Sequence, residues 1–389
     1  MKNAIQIPDP NFKSYLVKNF DLNNDGEISE EEALLVKEIL CSNLSISSLE
    51  GVEYFENLEV LVCSENNLTL LDISLNPHLR ELRCHFNNLS NLNVSPNPKL
   101  TFLQCAHNPL YSLDVSGNIE LEMLDCGRNE LSTLNIMSNS KLTQLVCEEN
   151  ELRELDLRNN HNLERVICFD NQITDLYLDN HPALQELWCG NNCISRLNLE
   201  GCLELTYLTI EDNRLKAIDV TNLTKLNTLD CSENPFTALD IRNNRELKEL
   251  TCSKNYLEEL DIIQNVKLQK LTCSENYLTT LDTKRNAELE VFDCCNNRIN
   301  ILDVSNNKKI KLLNCFDNYL ELLDVRNCKE LTFLNCGNNC LTKLEVMMLP
   351  DLEQLMCSQN QIGTLNLCNN LKLAGLYCEN NHLKNKLDF

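Results

Sequence analysis

The sequence predicts a solenoid of stacked, short parallel β-strands, with a second extended segment on the convex side and a small α-helical cap at the N-terminus. Three observations predict it: a 21-residue internal period, period-two alternation within each repeat, and a return segment too short for a helix. From position 63 to position 378, sixteen positions fall at steps of 21; fifteen are cysteine and the exception is Ile210. Three residues after each stands an asparagine, from Asn66 to Asn381, without a break. Such fixed-period self-similarity marks a repeat array, in which each unit buries its apolar face only against its neighbours.

Composition narrows the function classes. The 389 residues contain only nine Gly and nine Pro, with no Gly/Ser- or Pro-rich linker, so the chain reads as one structured body. Its net charge is −24, from 58 acidic and 34 basic residues, which repels nucleic acid and anionic membrane surfaces. No apolar run approaches the roughly 20 residues that span a bilayer. The opening stretch, MKNAIQIPDPNF, lacks the apolar core of a secretory signal, as expected of a cytosolic protein or of one whose signal has been trimmed.

The cap comes first, over residues 1–38. Asp9 and Pro10 read as N-cap and first turn of a helix running through Phe12, Tyr15 and Leu16. A second helix is expected from Glu30 to Glu38. Between them, DLNNDGEISEEE (21–32) spaces oxygen donors for a hard cation. Asp21, Asn23, Asp25, Ser29 and Glu32 offer side chains, Glu27 its carbonyl, and Gly26 the sharp turn. This segment resembles an EF-hand, and the resemblance implies bound Ca2+. With no second loop of the kind in the chain, a cap held by Ca2+ over the first solenoid turn is the expected role.

The solenoid follows over residues 39–389, about 17 turns if Cys41 opens it through one 22-residue turn. In LRELRCHFNNLSNLNVSPNPK (79–99), Leu82 and Cys84 point inward while Glu81, Arg83 and His85 point outward. The asparagine can donate and accept at once, so a stacked column can satisfy backbone groups where the chain leaves the strand. On the return, the third residue of segments such as LDIS (71–74) and LDVS (113–116) is β-branched in 11 of 15 turns, which favours extended backbone. A second asparagine column (Asn76, Asn97, Asn118, Asn139, Asn160) divides each turn in two, and Cys202 and Cys328 interrupt it. The convex aspartates, Asp72 and Asp114 among them, read as a solvated acidic face. The last residues, LKNKLDF (383–389), show no capping motif.

The 22 cysteines contain no C-x-x-C pair, and an apolar lining hosts no divalent ion. Adjacent in-register thiols have Cβ atoms farther apart than a disulfide prefers. The ladder is therefore expected to be reduced, buried core, with Cys295, one residue past a ladder position, facing solvent. His85 and His107 lie on adjacent turns without a third metal ligand.

The repeat resembles the leucine-rich repeats, and LSISSLEGVEYFENLEVL (44–61) resembles the first turn of bacterial internalins. The resemblance implies a surface or secreted adhesive protein that binds a protein ligand, for example on a host cell or glycoprotein, through its concave sheet. On that sheet the outward residues Arg83, His85, Phe86, Phe102, His107, Arg128, Arg165, Phe169, Trp188 and Tyr207 form an aromatic and basic strip, the usual anchors of an interface. No Ser/His/Asp or Cys/His arrangement and no phosphate-cradling loop stands out, so no catalysis is expected. Two other readings remain open here: an effector acting inside host cells, where reduced thiols are natural, and the targeting region of a larger protein.

Overall fold

The computed structural model describes residues 4–383, and the chain divides into two compact units, Met1–Leu197 and Asn198–Phe389. The terminal stretch from 384, which includes most of the motif-free tail, lies outside the described residues. Both units are built from the same parallel-strand solenoid, about 16 turns of 21 residues in all with few helices. Within the first unit eight three-residue strands, from Glu38–Leu40 to Glu186–Trp188, pair in order. Nine more, from Tyr207–Thr209 to Gly375–Tyr377, do so in the second. All of these pairings are parallel and in register, as in Glu81↔Phe102, Leu82↔Leu103 and Arg83↔Gln104.

Each strand of the sheet but the last buries its central apolar residue, usually leucine, and the ladder residue that follows; in the last, Leu376 and Cys378 are half-buried. Leu82, Cys84, Leu103 and Cys105 are fully buried, and so is Ile210, which fills the one ladder position without a thiol. Burial pushes the ladder thiols up, Cys168 and Cys252 to about 12, so these sulfurs are inert filler rather than nucleophiles. None of the 22 cysteines is in a disulfide. Cys295 departs from its expected solvent position: it is half-buried, and burial with the neighbouring Asp293 carboxylate raises it to about 12.

The first asparagine column locks turn to turn. The Asn87 amide group donates to Cys63 O (3.0 Å), Cys84 O (3.1 Å) and His85 O (3.4 Å), while its Oδ1 accepts from Leu68 N (2.9 Å). Asn255 repeats this in the second unit, donating to Cys231, Cys252 and Ser253 carbonyls and accepting from Phe236 N. The residue before each of these asparagines sits in the left-handed region, from Glu65 (φ 54°) and Phe86 (φ 53°) to Asn380 (φ 57°). That conformation costs a non-glycine residue about 1–2 kcal/mol. The hydrogen bonds of the amide, whose two N–H groups and one oxygen give about 1 kcal/mol net for each full bond, hold it in place.

The convex segment carries no helix. Its backbone pairs as strands where Glu154–Asp156 lies beside Asp175–Tyr177, and by a single parallel bridge between Thr280 and Ile301. Elsewhere side chains do the stacking. Asn118 Nδ2 donates to Val94 O (2.9 Å) and Asn97 O (2.8 Å), and Asn97, Asn139, Asn160, Asn244, Asn265 and Asn286 repeat the pattern. In these the carbonyl oxygen is buried without a partner. Asn307 differs, because the Thr283 hydroxyl reaches its Oδ1 at 2.8 Å. The convex aspartates are more than a solvated face: Asp72, Asp114 and Asp303 each accept a hydrogen bond from the backbone N–H two residues on, closing an Asx turn at the corner.

In the cap, the Pro10–Phe20 helix buries Phe12 and Leu16. Asp9 is its N-cap, with Oδ1 accepting from Asn11 N and Phe12 N. Its other oxygen accepts from Ser47 N (2.8 Å), Ser47 Oγ (2.7 Å) and Ser48 N, which pins the cap to the first solenoid turn. Burial raises the Asp9 carboxyl, but these donors outweigh it and hold it below its ordinary value. Gly51, at φ 106°, lets Ile7 approach to 3.1 Å of where a Cβ would stand. The second helix is shorter than its composition predicts: it spans only Glu30–Ala33. Lys37 O instead accepts from Glu59 N and Val60 N, and Glu38–Leu40 leaves the helical course to become the first ladder strand. Sheet pairing thus overrides helical propensity there.

Val115 stands to Asn139 as Thr283 stands to Asn307, whereas Val304 faces Cys328. Val115→Thr should give an orphaned oxygen its missing donor; Val304→Thr should not. In urea unfolding the first is expected to be about 1 kcal/mol less costly than the second, and equal costs would show that the orphaned oxygens carry no penalty.

Candidate binding face and N-terminal loop

Nine of the ten strip residues proposed from sequence lie in the first unit, and Tyr207 lies in the second. They do not form one uniform column. Phe102 and Arg165 occupy the first position of their strands, Arg83 and Trp188 the last, His85 and Phe169 follow the ladder cysteine, and Phe86, His107 and Arg128 sit at the left-handed turn. This third group builds a ledge: the Phe86 and His107 rings stack at 3.8 Å, and Arg128 follows, lining a cleft of about 520 Å³ with Asn66, Asn87 and Pro109. Burial, and then the Arg128 charge, lower the His107 imidazole from its ordinary value. His85 is lowered by burial, and its Nδ1 has no hydrogen-bond partner. The two histidines belong to different columns, and no group of three or more His, Cys, Asp or Glu residues suited to a metal occurs among the described residues.

The basic character of the strip is largely spent within the face itself. Arg83 Nε lies 2.6 Å from Glu81 and caps the Phe102 ring at 4.6 Å. Arg128 pairs with Glu149 at 2.8 Å, and Arg165 with Glu186 at 3.0 Å. Sequence reading missed these pairs because their partners stand two or 21 residues away, on the same strand or in the same column one turn on. It also missed Asp125 and Glu148. Asp125 accepts from Gln104 Nε2 (2.9 Å) and Gly127 N (3.3 Å). The Glu148 carboxyl group lies across Gly127, 2.7 Å from where a Cβ would stand, and burial raises it above the usual carboxylate range. Phe169 and Trp188 are half-buried beside the half-buried Val146 and Ile167.

In the N-terminal loop, Asp21 accepts from Asn24 N (2.7 Å) and Gly26 N (2.9 Å), Asn23 from Asp25 N (2.8 Å), and Asp25 from Glu27 N (3.0 Å). These bonds curl the loop around its own oxygens. Ile28 pairs outward, its carbonyl accepting from Ile5 N at 2.8 Å. The Glu27 carboxylate is taken by Lys13 Nζ at 2.7 Å. Ser29 is the N-cap of Glu30–Ala33; its hydroxyl accepts from Glu32 N and donates to Glu32 Oε2. Glu32 also accepts from Leu22 N, Asn23 N and Ser29 N, and these hydrogen bonds hold its carboxyl below the ordinary value despite burial.

Known proteins point the same way as the geometry. No family model matches the chain. Internalin J of Listeria monocytogenes is 37% identical over 70 residues, 18% of this chain and 8% of that protein, so the match spans a small part of its length. The solved functional domain of the Listeria monocytogenes protein InlJ, described as including a cysteine ladder, is 34% identical with a TM-score of 0.80, covering 94% of this chain and 78% of that one. An Arabidopsis receptor kinase solved with a peptide hormone and a co-receptor has the same fold, with a TM-score of 0.73 at 22% identity over 89% of this chain and 66% of that one.

Proposed function

We propose that this chain, which belongs to the cysteine-ladder leucine-rich-repeat proteins, is a binding module whose concave sheet takes up a protein ligand, in a surface or secreted protein of the internalin kind. The observation that carries the reading is Phe169 and Trp188 standing half-buried on the sheet with Val146 and Ile167 beside them, away from the packed core. Aromatic anchors on a rigid face supply binding area at little entropic cost. The role is adhesion or recognition rather than catalysis. Solved proteins of this fold include a receptor holding a peptide hormone, which supports a protein or peptide ligand. Free thiols favour a reducing compartment as a second reading. Yet the ladder sulfurs are buried with raised pKa values, so they also withstand an oxidising one.

Panning the immobilised chain with a random decapeptide display library tests this reading. Selected binders should lose about tenfold or more in affinity for Trp188→Ala and Phe169→Ala, about 1.4 kcal/mol or more, with the melting temperature lowered by only a few degrees. Binders indifferent to both substitutions would remove the concave face as the site.

The loop at 21–32 is proposed to hold Ca2+ and stiffen the cap. Supporting this, oxygen donors recur at Asp21, Asn23 and Asp25, and the backbone N–H bonds these side chains accept curl the loop around them. Glu32 ligates only by exchanging its amide hydrogen bonds for the ion, which places affinity in the weak range of extracellular modules, about 10⁻⁴–10⁻³ M. Millimolar Ca2+ should raise the melting temperature by a few degrees over a chelated sample. Asp21→Asn with Asp25→Asn keeps the turn acceptors and should abolish that difference. Identical melting with and without Ca2+ would exclude the ion.

A further inference from the structure

The charge left on the first unit's sheet face points to a particular kind of partner. Each arginine of the strip is matched by a carboxylate of the same face: Arg83 by Glu81, Arg128 by Glu149, Arg165 by Glu186. Two acids near the middle of the face form no ion pair: the Arg128 guanidinium, spent on Glu149, acts on Glu148 only through its charge. Asp125 is held by the Gln104 amide and the Gly127 N–H, both neutral donors. Glu148 Oε2 has no hydrogen-bond partner although it is shielded from solvent, and its carboxyl group fills the notch above Gly127. Burial raises the Glu148 carboxyl, and the Asp125 charge adds to the rise. Ionised groups brought near one another on a partly desolvated surface gain most from an opposite charge. Phe169 and Trp188, on the two turns that follow Glu148, are aromatic side chains of the kind that attract a guanidinium.

We propose that this face receives an extended cationic segment of a partner protein, with an arginine or lysine side chain seated over Asp125 and Glu148 and the segment running on across Phe169 and Trp188. The whole-chain charge of −24 adds long-range attraction for such a segment and opposes a second copy of this chain as the occupant. The inference rests on the reading of the concave sheet as the binding surface, and it adds the chemistry of what binds there.

Trp188 is the single tryptophan of the chain, so its emission reports the site directly. The full chain is titrated with a decapeptide of alternating arginine and serine, and with its glutamate–serine counterpart. The arginine peptide should shift Trp188 emission saturably, and the glutamate peptide should not. Glu148→Gln and Asp125→Asn should each weaken the arginine peptide about tenfold. Glu249→Gln, which removes the same charge from the second unit, should change it less than twofold. Equal losses from Glu148→Gln and Glu249→Gln would reduce the effect to overall charge and overturn the proposal. If library-selected binders depend on Trp188 but carry no excess of arginine or lysine, the cationic inference fails while the binding face stands. If they are indifferent to Trp188, both fail.

Discussion

The structure depends on one repeated interaction: an asparagine side chain that closes its own turn and the turn before it. Asn87 ties carbonyls from two successive turns with one NH2 group and takes the Leu68 N–H with its oxygen. No other side chain offers two donors and an acceptor in that small a volume. The consequences run outward from it. The residue before each asparagine is forced into the left-handed region, which throws Phe86, His107 and Arg128 onto a ledge beside the sheet. Parallel strands stay in register without long ladders, since three residues per strand are backed by a side-chain clamp at every turn. Cysteine follows from the same thinness: a slim apolar group fits where leucine on one wall meets the return segment on the other.

The convex column shows the clamp half-used. Asn97, Asn118 and Asn139 donate twice but leave their oxygens buried and unmatched. Its occupants are correspondingly less uniform: His181, Cys202, Leu223, Cys328 and Leu349 stand where other turns have asparagine. His181 keeps one bond, to Leu157 O, and burial lowers its imidazole. A site that asks for donors alone accepts any side chain able to donate or to fill the space.

Much of this was legible in the sequence because it is periodic. The cysteine and asparagine columns, the inward leucines and the absence of a convex helix follow from spacing, and the structure reproduces them. The left-handed column was not legible, because Glu65, Phe86, Arg128 and Asp170 share no residue type that marks such a conformation; it is imposed by the neighbouring asparagine. The short second helix escaped because Glu30–Glu38 has helical composition while Lys37 O and the strand after it are claimed by the next turn. The aromatic strip could be read residue by residue, but not its charge balance. The pairs Arg128–Glu149 and Arg165–Glu186 form only when turns stack, so a strip that looks basic in sequence is neutralised on the face.

The central claim is that amides, not thiols, hold the turns. Hydrogen exchange of the backbone amides from Glu233 to Tyr256 tests it in Asn255→Ala and Cys252→Ala. The Asn255 NH2 group satisfies three carbonyls and its oxygen the Phe236 N–H, whereas Cys252 fills space. Loss of the amide should speed exchange there about a hundredfold or more, the equivalent of roughly 3 kcal/mol, and loss of the thiol by no more than about tenfold. A larger effect from Cys252→Ala would contradict the account.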